Sequence, residues 1–259
     1  LASAGADGIV RLWSGTTSLT EGEGKLKWHA VGTLDHCNGG DDIEEEGKED
    51  NKPQIYALQF IQSKIYPNRN LLLTSTDDCI HLWNVVNEND SVSTNTQSSP
   101  PPIKRRKLLL YISVQFTHVN GGHNFGGPRN PSNELYVFDA SYCEANGLLG
   151  VALSDGSCRV LSILHNSETE QPICQEQCSL RLPPDYFSAK GGRGGHLTAL
   201  SFDKTGTRLS TCFASGRVVL WSLQVIHDAN GMDVLHPSCI SILEAGKLFV
   251  MLKHILDCV

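Results

Sequence analysis

Residues 196–222 constrain the fold more than any other stretch, because they contain three short β-strand patterns joined by two turns. The segments 197–202 and 217–221 are rich in aliphatic and β-branched residues. Residues 203–206 have the composition of a turn, and Ser215-Gly216 suits the two-residue turn of a hairpin. Apolar residues lie on both sides of each strand, which predicts a sheet that is covered on both faces. A stack of thin antiparallel sheets meets that requirement.

The same pattern recurs at three other places in the chain. In every copy a turn residue lies six places before a tryptophan, or before the leucine that replaces it. The turn residues are Asp7, Asp77, Asp155 and Ser215, and the corresponding markers are Trp13, Trp83, Leu161 and Trp221. A fixed internal offset predicts that the chain is built from repeated units.

A Gly-His pair, a strand–turn–strand and an aliphatic-Trp ending resemble the WD repeat, the four-stranded blade of a β-propeller. The resemblance covers roughly residues 1–243 and implies an all-β fold of four-stranded antiparallel blades, about four of which are visible. The blades are expected at roughly 1–34, 54–116, 135–182 and 196–243. Long loop insertions are expected at 36–53, 87–107 and 117–133, and 247–259 would be a closing element or a truncated blade.

The number of blades points to a larger assembly. The chain starts on Leu1, inside a blade and without an initiator methionine. Propellers close with roughly four to eight blades, and seven is common for WD repeats. We therefore expect this chain to be part of a seven-bladed propeller, with a closed four-bladed ring as the alternative. Within the blades, loops are expected at 14–27 and 225–237, and strands at 108–114 and 135–140.

The resemblance also implies a structural tetrad in each blade. It joins a histidine before the first strand, a serine or threonine on the second, an aspartate in the next turn, and the tryptophan. The matching residues are Ser3, Asp7 and Trp13; Ser75, Asp77 and Trp83; Asp155; and His196, Thr211 and Trp221. Gln54 stands where the second unit would have its histidine, and Ser215 replaces the aspartate of the fourth. We interpret the tetrads as structural, because a buried polar group left unpaired costs about 1–3 kcal/mol.

No catalytic or cofactor motif stands out in the sequence. There is no nucleophile elbow, phosphate-binding glycine loop or paired metal-ligand motif. His118 and His123 are interpreted as loop histidines, and Cys174 and Cys178, with His165 upstream, lack a second pair to complete a zinc site. We predict no enzyme activity, no catalytic residue, no cofactor and no metal.

Composition narrows the partners and the compartment. A net charge of −7 argues against direct binding of nucleic acid. No apolar run approaches 18 residues, so no membrane-spanning segment is expected. Nine cysteines, an odd number, favour free thiols in a reducing, intracellular compartment.

Two charged segments bear on partners and location. The acidic segment 41–50 is either a solvated insertion or an arm for a basic peptide such as a histone tail. Behind three prolines, Lys104, Arg105, Arg106 and Lys107 resemble a short nuclear import signal, and the alternative is a solvated basic loop. We expect the nucleus rather than the cytoplasm.

The resemblance implies a non-catalytic scaffold for protein–protein interactions, as a subunit of an intracellular complex. One alternative is a substrate receptor of a cullin-type ubiquitin ligase. Many such receptors have an acidic residue and then arginine after the tryptophan, whereas Trp13, Trp83 and Trp221 are followed by Ser-Gly, Asn-Val and Ser-Leu. Another alternative is a histone-binding subunit of a chromatin assembly complex, which the acidic segment and the import signal would suit.

Overall fold

The computed structural model of the protein is all β in the residues that it describes. These are 1–20, 23–36, 54–62, 69–87, 105–116, 135–165, 172–182, 195–227 and 233–244. They form fifteen strands in four antiparallel sheets and contain no α-helix. The predicted all-β fold of stacked antiparallel sheets is confirmed.

Each sheet is built from consecutive strands. The first has three: β1 (Ala2–Ala4), β2 (Ile9–Thr20) and β3 (Glu23–Asp35). The second has β4 (Ala57–Ile61), β5 (Leu71–Ser75), β6 (Cys79–Asn87) and β7 (Arg106–Gln115). The third has β8 (Val137–Cys143), β9 (Leu148–Leu153), β10 (Cys158–His165) and β11 (Pro172–Leu180). The fourth has β12 (Leu197–Phe202), β13 (Arg208–Phe213), β14 (Arg217–His227) and β15 (Asp233–Glu244).

The sheets stack face to face, and each junction has its own apolar core. Val10 and Leu12 of the first sheet pack with Leu72 of the second. Another apolar cluster lies between the second and third sheets. A further one lies between the third and fourth sheets. Every residue of β5 and β9 is buried, because both faces of these inner strands are covered by neighbouring sheets. Burial of apolar area on both faces is what stabilises such thin sheets.

Polar side chains on the innermost strands also join neighbouring sheets. Gln59 of β4 accepts a hydrogen bond from the Tyr142 amide over 2.9 Å. Asp139, which has the same third place in β8 that Gln59 has in β4, accepts one from the Leu200 amide over 2.9 Å. At the strand ends, Asn146 Nδ2 donates to the Gly206 carbonyl over 3.0 Å. These bonds fix how the second, third and fourth sheets are placed along one another.

The stack has two different ends. At one end, which we call the turn face, short turns join β1 to β2, β5 to β6, β9 to β10 and β13 to β14. At the opposite end, the hairpin face, a connection joins the last two strands of each sheet, and β8 and β12 lead into β9 and β13. The two ends therefore present different sets of side chains to a partner.

Several segments differ from the sequence-based expectation. Much of 14–27 and of 225–237 is strand rather than loop, since β2 pairs with β3 from Ile9 to Thr20 and β14 pairs with β15 as far as His227. Backbone pairing along these two-stranded ribbons outweighs their turn-like composition. β7 begins at Arg106 instead of 108, and β8 covers 137–143 instead of 135–140. The insertion 117–133 and the segment 247–259 lie outside the described residues.

Candidate interaction site

Two of the expected tryptophan–hydroxyl pairs are joined by hydrogen bonds. Trp13 Nε1 donates to Ser3 Oγ over 2.8 Å, and Trp221 Nε1 donates to Thr211 Oγ1 over 2.9 Å. In the fourth sheet Leu209 of β13 lies opposite Trp221 of β14. Thr211, which carries the hydroxyl, is two residues further along β13. Each bond links two strands of one sheet and satisfies the indole N–H.

The second sheet makes the same bond with a residue other than the predicted Ser75. Leu72 lies opposite Trp83, so the side chain two places along is Thr74. Trp83 Nε1 donates to Thr74 Oγ1 over 2.9 Å. Ser75 is on the other face of β5, where its Oγ accepts the Ala57 amide over 2.8 Å. A one-residue change in register moves a side chain to the opposite face of a strand.

A histidine is present beside this pair, and the sequence analysis missed it. His36 follows β3 of the first sheet, inside the segment that was expected to be an insertion. Its Nε2 lies 3.3 Å from Thr74 Oγ1, and its ring meets the Trp83 ring edge-on at 5.2 Å between centroids. His36, and not the expected position Gln54, therefore connects the first sheet to the tryptophan–hydroxyl pair of the second.

A second histidine, His81, adjoins the first. The two ring centroids are 5.1 Å apart, and His81 Nε2 lies 3.2 Å from Thr76 Oγ1. Burial, together with nearby His81, lowers the pKa of His36 to about 4, and Asp35 opposes the shift. Burial also lowers the pKa of His81, against the opposing effect of Asp78. Both rings are therefore neutral at neutral pH, and their role is packing and hydrogen bonding.

The third sheet replaces the tryptophan–hydroxyl pair on both strands. Leu161 stands at the tryptophan position opposite Leu149, and the residue two places along β9 is Val151. Leu161 and Val151 are both buried. An apolar residue at one position alone would leave a buried hydroxyl or indole N–H without its partner, which is costly. The paired replacement avoids that cost.

The turn aspartates are engaged locally. Asp7 accepts the Ile9 amide over 3.2 Å and pairs with Arg11 over 2.8 Å, which holds the pKa of Asp7 below its usual range. Asp155 accepts the Ser157 amide over 2.9 Å and pairs with Arg181. Asp77 forms a hydrogen bond with the Tyr56 side chain; burial and the Asp77 charge raise the pKa of that phenol. The structure gives these aspartates contacts that stabilise the turns and their surroundings.

His196 lies outside the tetrad in which it was expected. Its exposed ring stacks on Phe138 with centroids 4.8 Å apart, and among the described residues it makes no hydrogen bond to Thr211. Phe138 in turn meets Tyr56 edge-on at 6.1 Å. Tyr56, Phe138 and His196 precede or begin the first strands of three sheets, so this aromatic group crosses the turn face.

The hairpin face carries exposed apolar side chains from three sheets. They are Leu26 and Trp28 of the first sheet, Leu164 and Ile173 of the third, and Val225, Ile226 and Val234 of the fourth. Their exposed fractions run from 39% to 63%. Single exposed apolar residues are common, but their accumulation at one end of a protein is typical of interaction surfaces.

Three cysteines of the third sheet have the properties of structural thiols. Burial raises the pKa of Cys158 to about 12, and the pKa values of Cys174 and Cys178 to about 11. The seven cysteines that the structure describes form no disulfide. Within the same ranges, no three His, Cys, Asp or Glu side chains come together as metal ligands do.

Part of the basic cluster 104–107 lies in a β-strand. Arg105, Arg106 and Lys107 are exposed, and the last two belong to β7, opposite Asn87 and Val86. β7 is the outer strand of its sheet. Lys104, the acidic segment 41–50, His118 and His123 lie outside the described residues. No helix in the described part of the chain has the length and hydrophobicity that a membrane span requires.

Residues 190–222 match the family model for the WD40 repeat, described as "WD domain, G-beta repeat". The matched segment includes the His196 position, the strands β12 and β13, the turn that follows them, and Trp221. This segment is a WD repeat. The resemblance to WD-repeat propellers is thus confirmed at the level of the family, and the second and third sheets have the same strand order as the WD repeat in the fourth.

Two solved structures resemble the chain at low identity. The crystal structure of Chaetomium thermophilum polycomb repressive complex 2 shares 13% identity with it, with a TM-score of 0.47, over 86% of this chain and 33% of that chain. Sqt1 from Chaetomium thermophilum shares 14% identity with a TM-score of 0.47, over 94% of this chain and 44% of that chain. The chain spans about a third of the length of the polycomb chain. No curated protein matches the chain.

Proposed function

We propose that the chain is a non-catalytic WD-repeat scaffold that binds other proteins within a multi-protein complex. The observation that carries this proposal is the set of exposed apolar side chains on the hairpin face. Trp28, Ile173 and Val225 come from three different sheets and lie at the same end of the stack. The buried core of a protein interface is more apolar than the rest of the protein surface and is enriched in aromatic residues, which suits this set of side chains.

The polar groups of the described residues support a structural role rather than catalysis. The Trp83 indole, the Thr74 hydroxyl and the His36 ring bond or pack with one another. The Asp139 carboxylate accepts two backbone amides. A catalytic acid, base or nucleophile must instead face a cavity that substrate can reach.

Affinity capture from cells tests the proposal. The tagged chain is compared with a triple variant, Trp28→Ser, Ile173→Ser and Val225→Ser, and with a control, Leu110→Ser and Ile240→Ser, whose residues are also exposed. Mass spectrometry is expected to find partners of the wild type and of the control that the triple variant has lost. If the wild type retains no protein beyond a tag-only sample, the chain is not a scaffold.

We also propose that the complex is nuclear. Arg105, Arg106 and Lys107 are exposed, so an import adaptor can reach these consecutive cations. Replacing all four residues of 104–107 by alanine in a fluorescent fusion of the full chain is expected to shift the fusion protein to the cytoplasm. An unchanged nuclear fraction would contradict the import role of this cluster.

A basic peptide is the partner we propose for the acidic segment 41–50. On the turn face, Asp7 and Asp155 are already paired with Arg11 and Arg181, so these carboxylates have little charge left for a basic ligand. The segment 41–50 has seven carboxylates and one lysine. Deleting it is expected to abolish binding of a histone-tail peptide, and retained binding would dismiss this partner.

A further inference from the structure

A groove of about 990 Å³ lies between the third and fourth sheets at the hairpin face. Its apolar lining comes from both sheets: Leu148 and Leu164 of the third, and Leu223, Val225 and Leu235 of the fourth. Leu148 and Leu223 are buried, whereas Leu164 is 42% exposed and Val225 63% exposed. The groove therefore has a buried apolar base and an apolar margin that solvent reaches.

The polar lining of the groove divides into engaged and available groups. Gln177 Nε2 donates to Ser162 Oγ over 2.7 Å, and Asn146 donates to the Gly206 carbonyl. Arg208 and Gln224 also line the groove, and their side chains make no hydrogen bond or ion pair with any residue that the structure describes. They are the groups that a ligand could use.

Arg208 carries a charge of the groove lining that has no partner among the described residues. The carboxylate of the groove, Asp233, is paired with His227 over 2.6 Å. Asp203 is close in sequence to Arg208, but its oxygens accept the Arg208 backbone amide and the hydroxyls of Thr205 and Thr207. An arginine guanidinium can bind a carboxylate through two parallel hydrogen bonds, so Arg208 beside apolar surface suits an acidic ligand.

We infer that this groove binds an extended peptide segment of a partner protein, in which acidic residues stand next to aliphatic residues. This inference rests on the proposed scaffold function and names a site and a partner chemistry for it. The aliphatic side chains of the peptide cover Leu164 and Val225, and a peptide carboxylate pairs with the Arg208 guanidinium. The Gln224 amide can hydrogen-bond to the peptide backbone.

A peptide titration tests the inference on the full chain. The probe is a fluorescein-labelled, end-capped peptide of about eight residues with Asp-Leu-Glu-Leu at its centre. Two matched peptides carry lysine in place of the acidic residues or serine in place of the leucines. Fluorescence anisotropy is expected to show binding of the acidic–leucine peptide and at least about tenfold weaker binding of both matched peptides.

Two variants place the binding in this groove. Arg208→Glu is expected to weaken the acidic peptide by about tenfold or more and to strengthen the lysine peptide, because the charge pairing is reversed. Val225→Ser is expected to weaken the acidic peptide, whereas Ile240→Ser, at a comparably exposed residue outside the groove, leaves it unchanged. Unaltered thermal melting shows that these surface variants remain folded.

Three outcomes overturn the inference. They are no binding of the acidic–leucine peptide up to about 1 mM, equal binding of all three peptides, and an affinity that Arg208→Glu does not change. A further contradictory outcome is self-association of the wild type that Val225→Ser abolishes, which would mean that a second copy of the chain fills the groove. Sedimentation analysis detects it. Affinity capture from cells separates the two proposals. If the chain captures partner proteins but does not bind the peptide, the scaffold function stands and the groove inference is wrong.

Discussion

The carboxylate of Asp139 on the third sheet accepts a hydrogen bond from the Leu200 backbone amide on the fourth sheet over 2.9 Å. Its other oxygen accepts the Ala140 amide over 2.9 Å. Burial raises the pKa of Asp139, and the two amide donors oppose that rise. One side chain thus joins two sheets at the cost of partly burying a carboxylate, which its two donors offset.

Replacing Asp139 by alanine is expected to destabilise the protein. The substitution leaves the Leu200 and Ala140 amides without their acceptor, and each unsatisfied buried donor costs about 1–3 kcal/mol. Denaturant unfolding measures the loss. Thr198→Ala, at an exposed residue of the adjoining strand, is the matched control and is expected to change the free energy of unfolding by less than about 0.5 kcal/mol. Equal effects of the two substitutions would refute the role of Asp139.

Acid is expected to weaken the protein through His36. Its pKa falls from 6.5 to about 4 on folding, mainly because of burial, so the unfolded chain takes up the proton more readily than the folded one. The stabilisation is complete above pH of about 6.5 and is lost as the pH falls toward about 4. Unfolding curves measured across this range should show a shallower loss for His36→Gln than for the wild type.

The exposed His236 supplies the control for this pH dependence. His236→Gln is expected to keep the wild-type dependence of stability on pH. His81 has a lowered pKa as well, so some pH dependence should survive in His36→Gln. If His36→Gln and the wild type lose stability in parallel, His36 is not buried at the junction of the first two sheets.

Thr74 and Ser75 are expected to respond differently to loss of their hydroxyls. Thr74→Val removes the acceptor of the Trp83 indole and should shift the Trp83 Nε1–H resonance in the NMR spectrum. Ser75→Ala removes the acceptor of the Ala57 amide and should leave that resonance in place. Each substitution should cost about 1–3 kcal/mol, because both hydroxyls are buried and bonded. If the Trp83 resonance shifts in Ser75→Ala and not in Thr74→Val, then Ser75 is the hydrogen-bond acceptor of Trp83, as the sequence predicts.

Alanine substitutions at two turn glycines distinguish the cost of backbone strain from the cost of losing a contact between sheets. Gly156 and Gly206 have φ values of +77° and +71°, so alanine at either is expected to cost about 1–2 kcal/mol. A Cβ at Gly206 would also overlap the amide of Asn146, whose bond to the Gly206 carbonyl joins the third and fourth sheets. At Gly156 the added atom would meet only an ordinary contact with Gly195.

Chemical denaturation should therefore rank Gly206→Ala below Gly156→Ala in stability, by about 1 kcal/mol for the lost hydrogen bond. In an Asn146→Ala background, which already lacks this hydrogen bond and the overlapping side chain, Gly206→Ala should cost no more than Gly156→Ala costs in the wild type. An equal cost at both glycines would mean that Asn146 does not hold the two sheets together.

The repeated pattern in the sequence was enough to predict the stacked sheets, because it depends on short-range chemistry. Turn residues such as Asp7 and Asp155 stand at a fixed offset from Trp13 and Leu161, and the intervening strands are apolar on both sides. The paired replacement by Leu161 and Val151 depends on the register between β9 and β10, which the offset between turn and marker does not fix.

The errors at Ser75 and His36 have different physical causes. All five residues of β5 are buried, so no alternation of polar and apolar residues marks which hydroxyl faces Trp83. His36 is remote in sequence from β4, and its position depends on packing between sheets. Its location just after an outer strand was the available clue. His196 has the expected Gly-His sequence but stacks on Phe138, a long-range contact that the sequence of its own repeat does not contain.

Hydrogen exchange tests the central claim most directly, which is that each sheet is stabilised by its neighbours. The apolar cluster between the third and fourth sheets includes Leu148, Ala152, Leu200 and Trp221. Amide protection in β9 is measured in the full chain and in a chain that ends at residue 194, before the fourth sheet. The account predicts that protection of β9 falls at least about tenfold when the fourth sheet is absent. Unchanged protection of β9 in the shortened chain would contradict it.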